Sequence, residues 1–152
     1  MSIRTAIVRR AIDVAGLLAE VRNTANGATL LFLGQVRDVN DGRAVTGIEY
    51  SAYDEMAGHE LATIARECAA AFGISHLIVE HRLGALELGD TSIAIVVAHP
   101  HRGAAYDASR FVIEEVKRRL PIWKREGYLD GTSEWVNADG ITEHSSAQEQ
   151  PS

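Results

Sequence analysis

The chain has 152 residues, 46% of them apolar, and 15 basic against 21 acidic residues leave a formal charge of −6. That size suits one soluble domain with a single core, needing neither disulfide nor metal for stability, and the acidic balance excludes broad phosphate-dominated binding of nucleic acid. A lone cysteine, Cys68, excludes an internal disulfide or a CxxC motif, and the longest apolar run, Ile93 to Ala98, is far too short for a membrane span of ~20 residues.

Arg4, Arg9 and Arg10 precede an apolar stretch cut by Asp13 and Glu20, which makes a poor signal peptide. The expected location is the cytoplasm. Ile3 to Arg9 reads as a first strand, and Ala11 to Val21 carries Ile12, Ala15, Leu18 and Val21 at near-helical spacing before the turn residues Asn23 to Gly27. Ala28 to Arg37 predicts a buried strand whose Gly34 marks a bulge or a close backbone approach. Asn40-Asp41-Gly42 signals a turn, and Gly47 to Tyr53 alternates with the period of a half-buried strand. The next segment predicts a helix capped by Asp54, with Ala57, Leu61, Ile64, Cys68 and Phe72 on one face and Gly73 as its left-handed stop.

Ser75 to Leu86 and Thr91 to His99 read as strands joined through Glu87-Leu88-Gly89-Asp90 as a hairpin. A second long helix, from Arg102 or Gly103 to Leu120, ends at Pro121. Ile122 to Glu126 and Ser133 to Val136 follow as short strands. The pattern then fades, which suggests a single domain over residues 1–137 and a polar, flexible tail over 138–152. Hairpins mixed with helices argue for an α+β fold with a largely antiparallel sheet.

Chemistry is concentrated in three places. From Val116 to Arg125 stand five basic residues, Lys117, Arg118, Arg119, Lys124 and Arg125, with no acid among them. Such a run is either a solvated helix end favoured by the macrodipole or the wall of a pocket for a small anion. Lys117 flanks the apolar row of Ala108, Phe111, Val112 and Val116, so its stem is expected to be partly covered. His99-Pro100-His101-Arg102-Gly103 sits where a strand meets a helix N-terminus, a setting for phosphate or carboxylate. His99 and His101 have same-side spacing on a strand, yet no third ligand completes a zinc site. The third place is Gly34-Gln35-Val36-Arg37, where Arg37 leaves a buried strand.

Lys117 lies 15 residues beyond Arg102, about 22 Å along a continuous helix at ~1.5 Å per residue. One small ligand cannot span that within one chain. Either there are two sites, or a symmetric dimer brings His101 and Arg102 of one subunit to Lys117 and Lys124 of the other.

Taken in order, Gly34-Gln35-Val36-Arg37, His101-Arg102, Lys117, Pro121-Ile122-Trp123-Lys124-Arg125-Glu126 and Glu134-Trp135-Val136 resemble the large, catalytic subunit of molybdopterin synthase, over about residues 28–136. The resemblance implies an α/β hammerhead fold with an antiparallel sheet subdomain. It also implies a homodimer that takes a small ubiquitin-like sulfur-carrier subunit at each end, giving a heterotetramer. The carrier's C-terminal Gly-Gly thiocarboxylate would enter the active site and convert cyclic pyranopterin monophosphate, precursor Z, into the dithiolene of molybdopterin, with no metal or organic cofactor consumed.

Carried over by position, Lys117 and Lys124 match the two active-site lysines. Arg37, His101 and Arg102 match pterin- and phosphate-binding positions, the His-Arg pair arriving from the other subunit. Gln35, Val36, Arg125 and Glu126 match residues around the same pocket, with Phe32 and Ile113 as further lining. The chain departs from relatives in having no lysine or arginine after Val136, and in placing Pro100 before His101. A reading from another class is a non-catalytic anion-binding or docking module for a ubiquitin-like partner.

Overall fold

A computed structural model describes residues 2–137 and 142–143. In chain order the elements are β1 (Ser2–Val8), α1 (Val14–Glu20), β2 (Ala28–Gln35), β3 (Val39–Asn40), β4 (Arg43–Ala52), α2 (Asp54–Phe72), β5 (His76–Arg82), β6 (Gly84–Leu86), β7 (Thr91–His99), α3 (Arg102–Arg119), β8 (Ile122–Tyr128), β9 (Ser133–Asn137) and β10 (Thr142–Glu143). The fold is α+β, as expected, and two sheets carry it. Apart from β10, the expected tail over 138–152 lies outside the described residues.

The first sheet runs β1-β5-β7-β2. Its pairs are antiparallel except β1 with β5, which are parallel. Strand alternation divides its side chains between two cores. Leu77, Val79, Ile93, Ile95 and Val97 face α2 and α3, where Leu61, Ile64, Cys68 and Val112 meet them. Ile78, Ala94, Val96 and Ala98 face the other way, onto Leu17 and Val21 near α1. Covering both faces is what makes β7 a continuous apolar run with no polar alternation.

The second sheet runs β10-β9-β8-β4-β3, with β6 alongside β4. Its apolar centre is small: Val36, Val45, Ile48, Leu86 and Tyr128. β4 is longer than its Gly47–Tyr53 pattern implies because its first half turns back on β3 through Asp41 (φ 48°) and Gly42, the predicted turn.

Four sequence expectations need correction. The first helix starts at Val14, not Ala11, because the Asp13 carboxylate accepts from the Gly16 N–H at 3.1 Å and fixes the start there. Asp54 is the first residue of α2 and not its cap; Tyr53 holds the cap position without a side-chain bond, while Asp54 pairs with Arg9 at 2.8 Å. The single strand expected over Ser75 to Leu86 breaks at Gly84, whose φ of +97° suits only glycine. Beyond that break, β6 joins β4 in the second sheet, so Glu87 to Asp90 connects two sheets and is not the turn of one hairpin.

Other local signals match the structure. Gly73 ends α2 at φ +64°. At Gly34 the first of the two foreseen features is present, since the β2–β7 register shifts there; the close neighbour is a side chain and not a backbone, as an added Cβ would meet Ile93 Cγ2 at 2.7 Å. α3 stops at Leu120, which is extended (ψ 130°) because a residue before proline is disfavoured in the helical region. The chain then enters β8 at once, so the last turn of α3 and the first half of β8 frame one corner of the molecule.

Candidate active site

That corner encloses a cavity of about 310 Å³ between the two sheets and beneath the end of α3. Seven of the residues singled out from sequence border it: Phe32 and Gln35 from β2, Arg37 after it, Ile113 and Lys117 from α3, and Lys124 and Glu126 from β8. Strand alternation explains the last two. Ile122, Lys124 and Glu126 point to the cavity, and Trp123 and Arg125 to the opposite face.

Arg125 therefore does not line the cavity; it pairs with Glu49 at 3.0 Å and lies 5.5 Å over the Trp135 ring. Val36 is also outside the lining, being only 4% exposed and packed among the second sheet's apolar residues. Its backbone holds the adjoining loops together: the Val36 N–H donates to the Asp90 carbonyl at 3.0 Å, and Gly89 N–H donates to the Val36 carbonyl at 2.7 Å. Val36 thus anchors Arg37 without touching the cavity.

His101 and Arg102 stand at the far end of α3, exposed, 15 residues and about 22 Å from Lys117. His101 lies beyond the end of β7, so the pair with His99 does not have strand spacing; its N–H donates to His99 Nδ1 at 2.9 Å. Among the described residues no group of three His, Cys, Asp or Glu side chains is placed to hold a metal. Lys117 is exposed, more open than a covered stem would be, since it projects from the last turn of α3 at the rim.

Within the cavity the charges are arranged around one buried carboxylate. Glu126 is 3% exposed; its Oε2 accepts from Asn40 Nδ2 at 2.6 Å and from the Tyr128 hydroxyl at 2.9 Å, and its Oε1 faces Lys124 Nζ at 3.2 Å. Asn40 Oδ1 in turn accepts from Arg37 at 3.3 Å. Burial together with the Glu126 carboxylate pushes the Tyr128 phenol up to about 12, so it stays a donor. Among the described residues three cations, Arg37, Lys117 and Lys124, thus share a concave surface with a single carboxylate. The excess of positive charge suits a small polyanion such as a phosphate ester.

Sequence reasoning missed Asn40, Tyr50, His81 and Ser92, which also border the cavity. Burial raises the Tyr50 phenol above its usual range. For His81 a signal existed: it stands in phase with Leu77 and Val79, a polar residue at the end of a row that is otherwise core. No helix among the described residues is long and apolar enough to cross a membrane.

A family model described as MoaE protein matches residues 7–119. The chain is similar to the molybdopterin synthase catalytic subunit of Pyrococcus abyssi, 39% identical over 127 residues, which cover 84% of this chain and 85% of that one. It is also similar to the molybdopterin synthase catalytic subunit of Oryza sativa subsp. japonica, 43% identical over 79% of this chain but 62% of the rice one. Among solved structures it resembles the X-ray crystal structure of molybdopterin synthase from Staphylococcus aureus, with a TM-score of 0.79 and 35% identity over 85% of this chain and 93% of that chain.

Proposed function

The chain belongs to the MoaE family, and from that premise we propose that it is the catalytic subunit of a molybdopterin synthase, moving sulfur from the C-terminal thiocarboxylate of a ubiquitin-like carrier onto cyclic pyranopterin monophosphate. The observation that carries this reading is the convergence of Arg37, Lys117 and Lys124, from three separate elements, on one cavity beside the buried Glu126. Arg37 and Lys124 hold the phosphate and the pterin edge. The thiocarboxylate sulfur bonds to a pterin carbon, and water then attacks the carbonyl of the thioester so formed, breaking the carrier's C–S bond and freeing its carboxylate while the sulfur stays on the pterin. Lys117, at the rim where a carrier tail would enter, stabilises the oxyanion of that attack or carries the proton released. Glu126 keeps Lys124 in place and is itself held by Asn40 and Tyr128.

His101 and Arg102, too far to reach the same ligand within one chain, serve the cavity of a second subunit. A homodimer with a carrier at each end is the assembly this requires.

The test mixes the purified chain with thiocarboxylated carrier and precursor Z and follows molybdopterin as its oxidised fluorescent derivative, with carboxylate-ended carrier as control. Product that depends on the thiocarboxylate is the expected outcome. No product from a folded chain that still binds its carrier would overturn the enzymatic reading and leave a docking module.

A further inference from the structure

The proposed sulfur transfer makes no use of His81, the imidazole that borders the cavity among the described residues. His81 is 6% exposed and sits at the inner end of the space, across from Ile93 on β7, its ring centroid 5.3 Å from that of Tyr50 in an edge-to-face arrangement. Its Nδ1 lies 3.0 Å from the Arg82 carbonyl oxygen. A carbonyl oxygen only accepts, so Nδ1 carries the proton. Burial keeps the ring neutral, lowering its pKa to about 4 even against that hydrogen bond. Nε2 is then an unprotonated acceptor.

Among the described residues Nε2 makes no hydrogen bond, and the sealed, unpartnered side-chain atoms are Glu80 Oε1 and Arg82 Nε, not this one. His81 borders the cavity and its Nδ1 edge is taken up by the Arg82 carbonyl, so the unsealed Nε2 edge is the one left for a ligand there. Two hydroxyls also border the cavity: Ser92 Oγ, which already donates to the Gly34 carbonyl at 3.1 Å, and that of Tyr50, whose phenol burial holds protonated. The cavity therefore has cations at its exposed rim and, at its buried end, a ring nitrogen that can only accept, set among hydroxyl, aromatic and aliphatic groups.

We propose that His81 Nε2 accepts a hydrogen bond from a ring N–H of the pterin, orienting the heterocycle at the buried end while the rim cations hold its phosphate. This rests on the pterin reading above and adds a specificity residue to it: a phosphate ester whose ring offers no donor leaves a buried acceptor unpaired and is rejected.

Two measurements test it. In the complex with its carrier, the ¹⁵N-histidine-labelled chain is expected to show His81 at pH 7 with a protonated Nδ1 and a bare Nε2. The Nε2 resonance should move upfield on adding cyclic pyranopterin monophosphate but not with inorganic phosphate alone. A cationic ring, the opposite tautomer, or an Nε2 signal unmoved by the pterin would overturn the proposal. In the fluorescent assay, His81→Phe should raise KM for the pterin about tenfold or more with a smaller change in kcat, the effect of one lost buried hydrogen bond. His81→Gln, which restores an acceptor, should recover part of the loss. Wild-type KM in a folded His81→Phe chain would refute the assignment. Should the wild type itself make no product, the functional reading falls, and the nitrogen spectrum with pterin still decides His81.

Discussion

The two sheets solve different problems. In the first, β7 is buried from Ser92 to Ala98 and both faces are filled with aliphatic side chains. In the second, a small apolar cluster is surrounded by polar contacts: Arg43 reaches Glu134 at 3.1 Å and Thr132 at 2.7 Å and covers the Tyr128 ring at 3.6 Å, while Glu126 gathers Asn40, Tyr128 and Lys124. Apolar burial is tolerant of direction, whereas a buried carboxylate is stable only with its partners in place. The first sheet therefore supplies stability, and the second fixes the positions of charges.

That division can be broken from either side. Lys117→Ala should lower product formation by roughly 10²–10⁴-fold, the usual weight of a proton carrier, while the urea midpoint stays near wild type because Lys117 is exposed. Leu61→Ala, at a fully buried site between α2 and the first sheet, should cost about 2–5 kcal/mol in urea unfolding. Its activity per folded molecule should be preserved; loss of turnover beyond the unfolded fraction would show that the two regions are coupled.

Acid provides a third probe. The folded chain holds His81 neutral down to about pH 4, while the unfolded chain protonates near 6.5. Between those values the unfolded state binds more protons, so stability is intact above pH 6.5 and falls as pH drops towards 4, by up to about 3 kcal/mol. Urea titrations across that range should show the loss, and His81→Phe should flatten it. The smallest effect is expected of Glu126→Gln, which keeps the shape and the Asn40 and Tyr128 contacts in altered polarity. A cost of about 1–2 kcal/mol is expected, and KM for the pterin should rise as Lys124 loses its anchor; an unchanged KM would remove Glu126 from the site.

Most elements were legible because their signals are local. Pro121 stops α3, Gly73 stops α2, and the apolar phase of α2 and β7 is visible in any short window. The parallel pairing of β1 with β5 and the transfer of β6 to the second sheet were not legible, because both depend on partners far along the chain. For the site, the basic cluster was visible by charge alone. Arg125 was misplaced because a charge count ignores the alternation that sends it to the Glu49 face, and Val36 because its short motif mixes a cavity residue with a buried one. Asn40 and Tyr50 had no signal of their own; each matters only after β4 has folded against β8 and β3.

The bend at Leu120–Pro121 has one more consequence. It sets the reading frame of β8: counted from the end of α3, every second residue faces the cavity, and the frame has no tolerance for slippage. A single residue inserted at this bend would leave helix and strand both intact by sequence, yet would turn Trp123 and Arg125 inward and carry Lys124 and Glu126 to the outside. The lysine on the helix and the lysine on the strand are thus kept in phase by one short corner, and length there is as strictly constrained as the identity of either side chain.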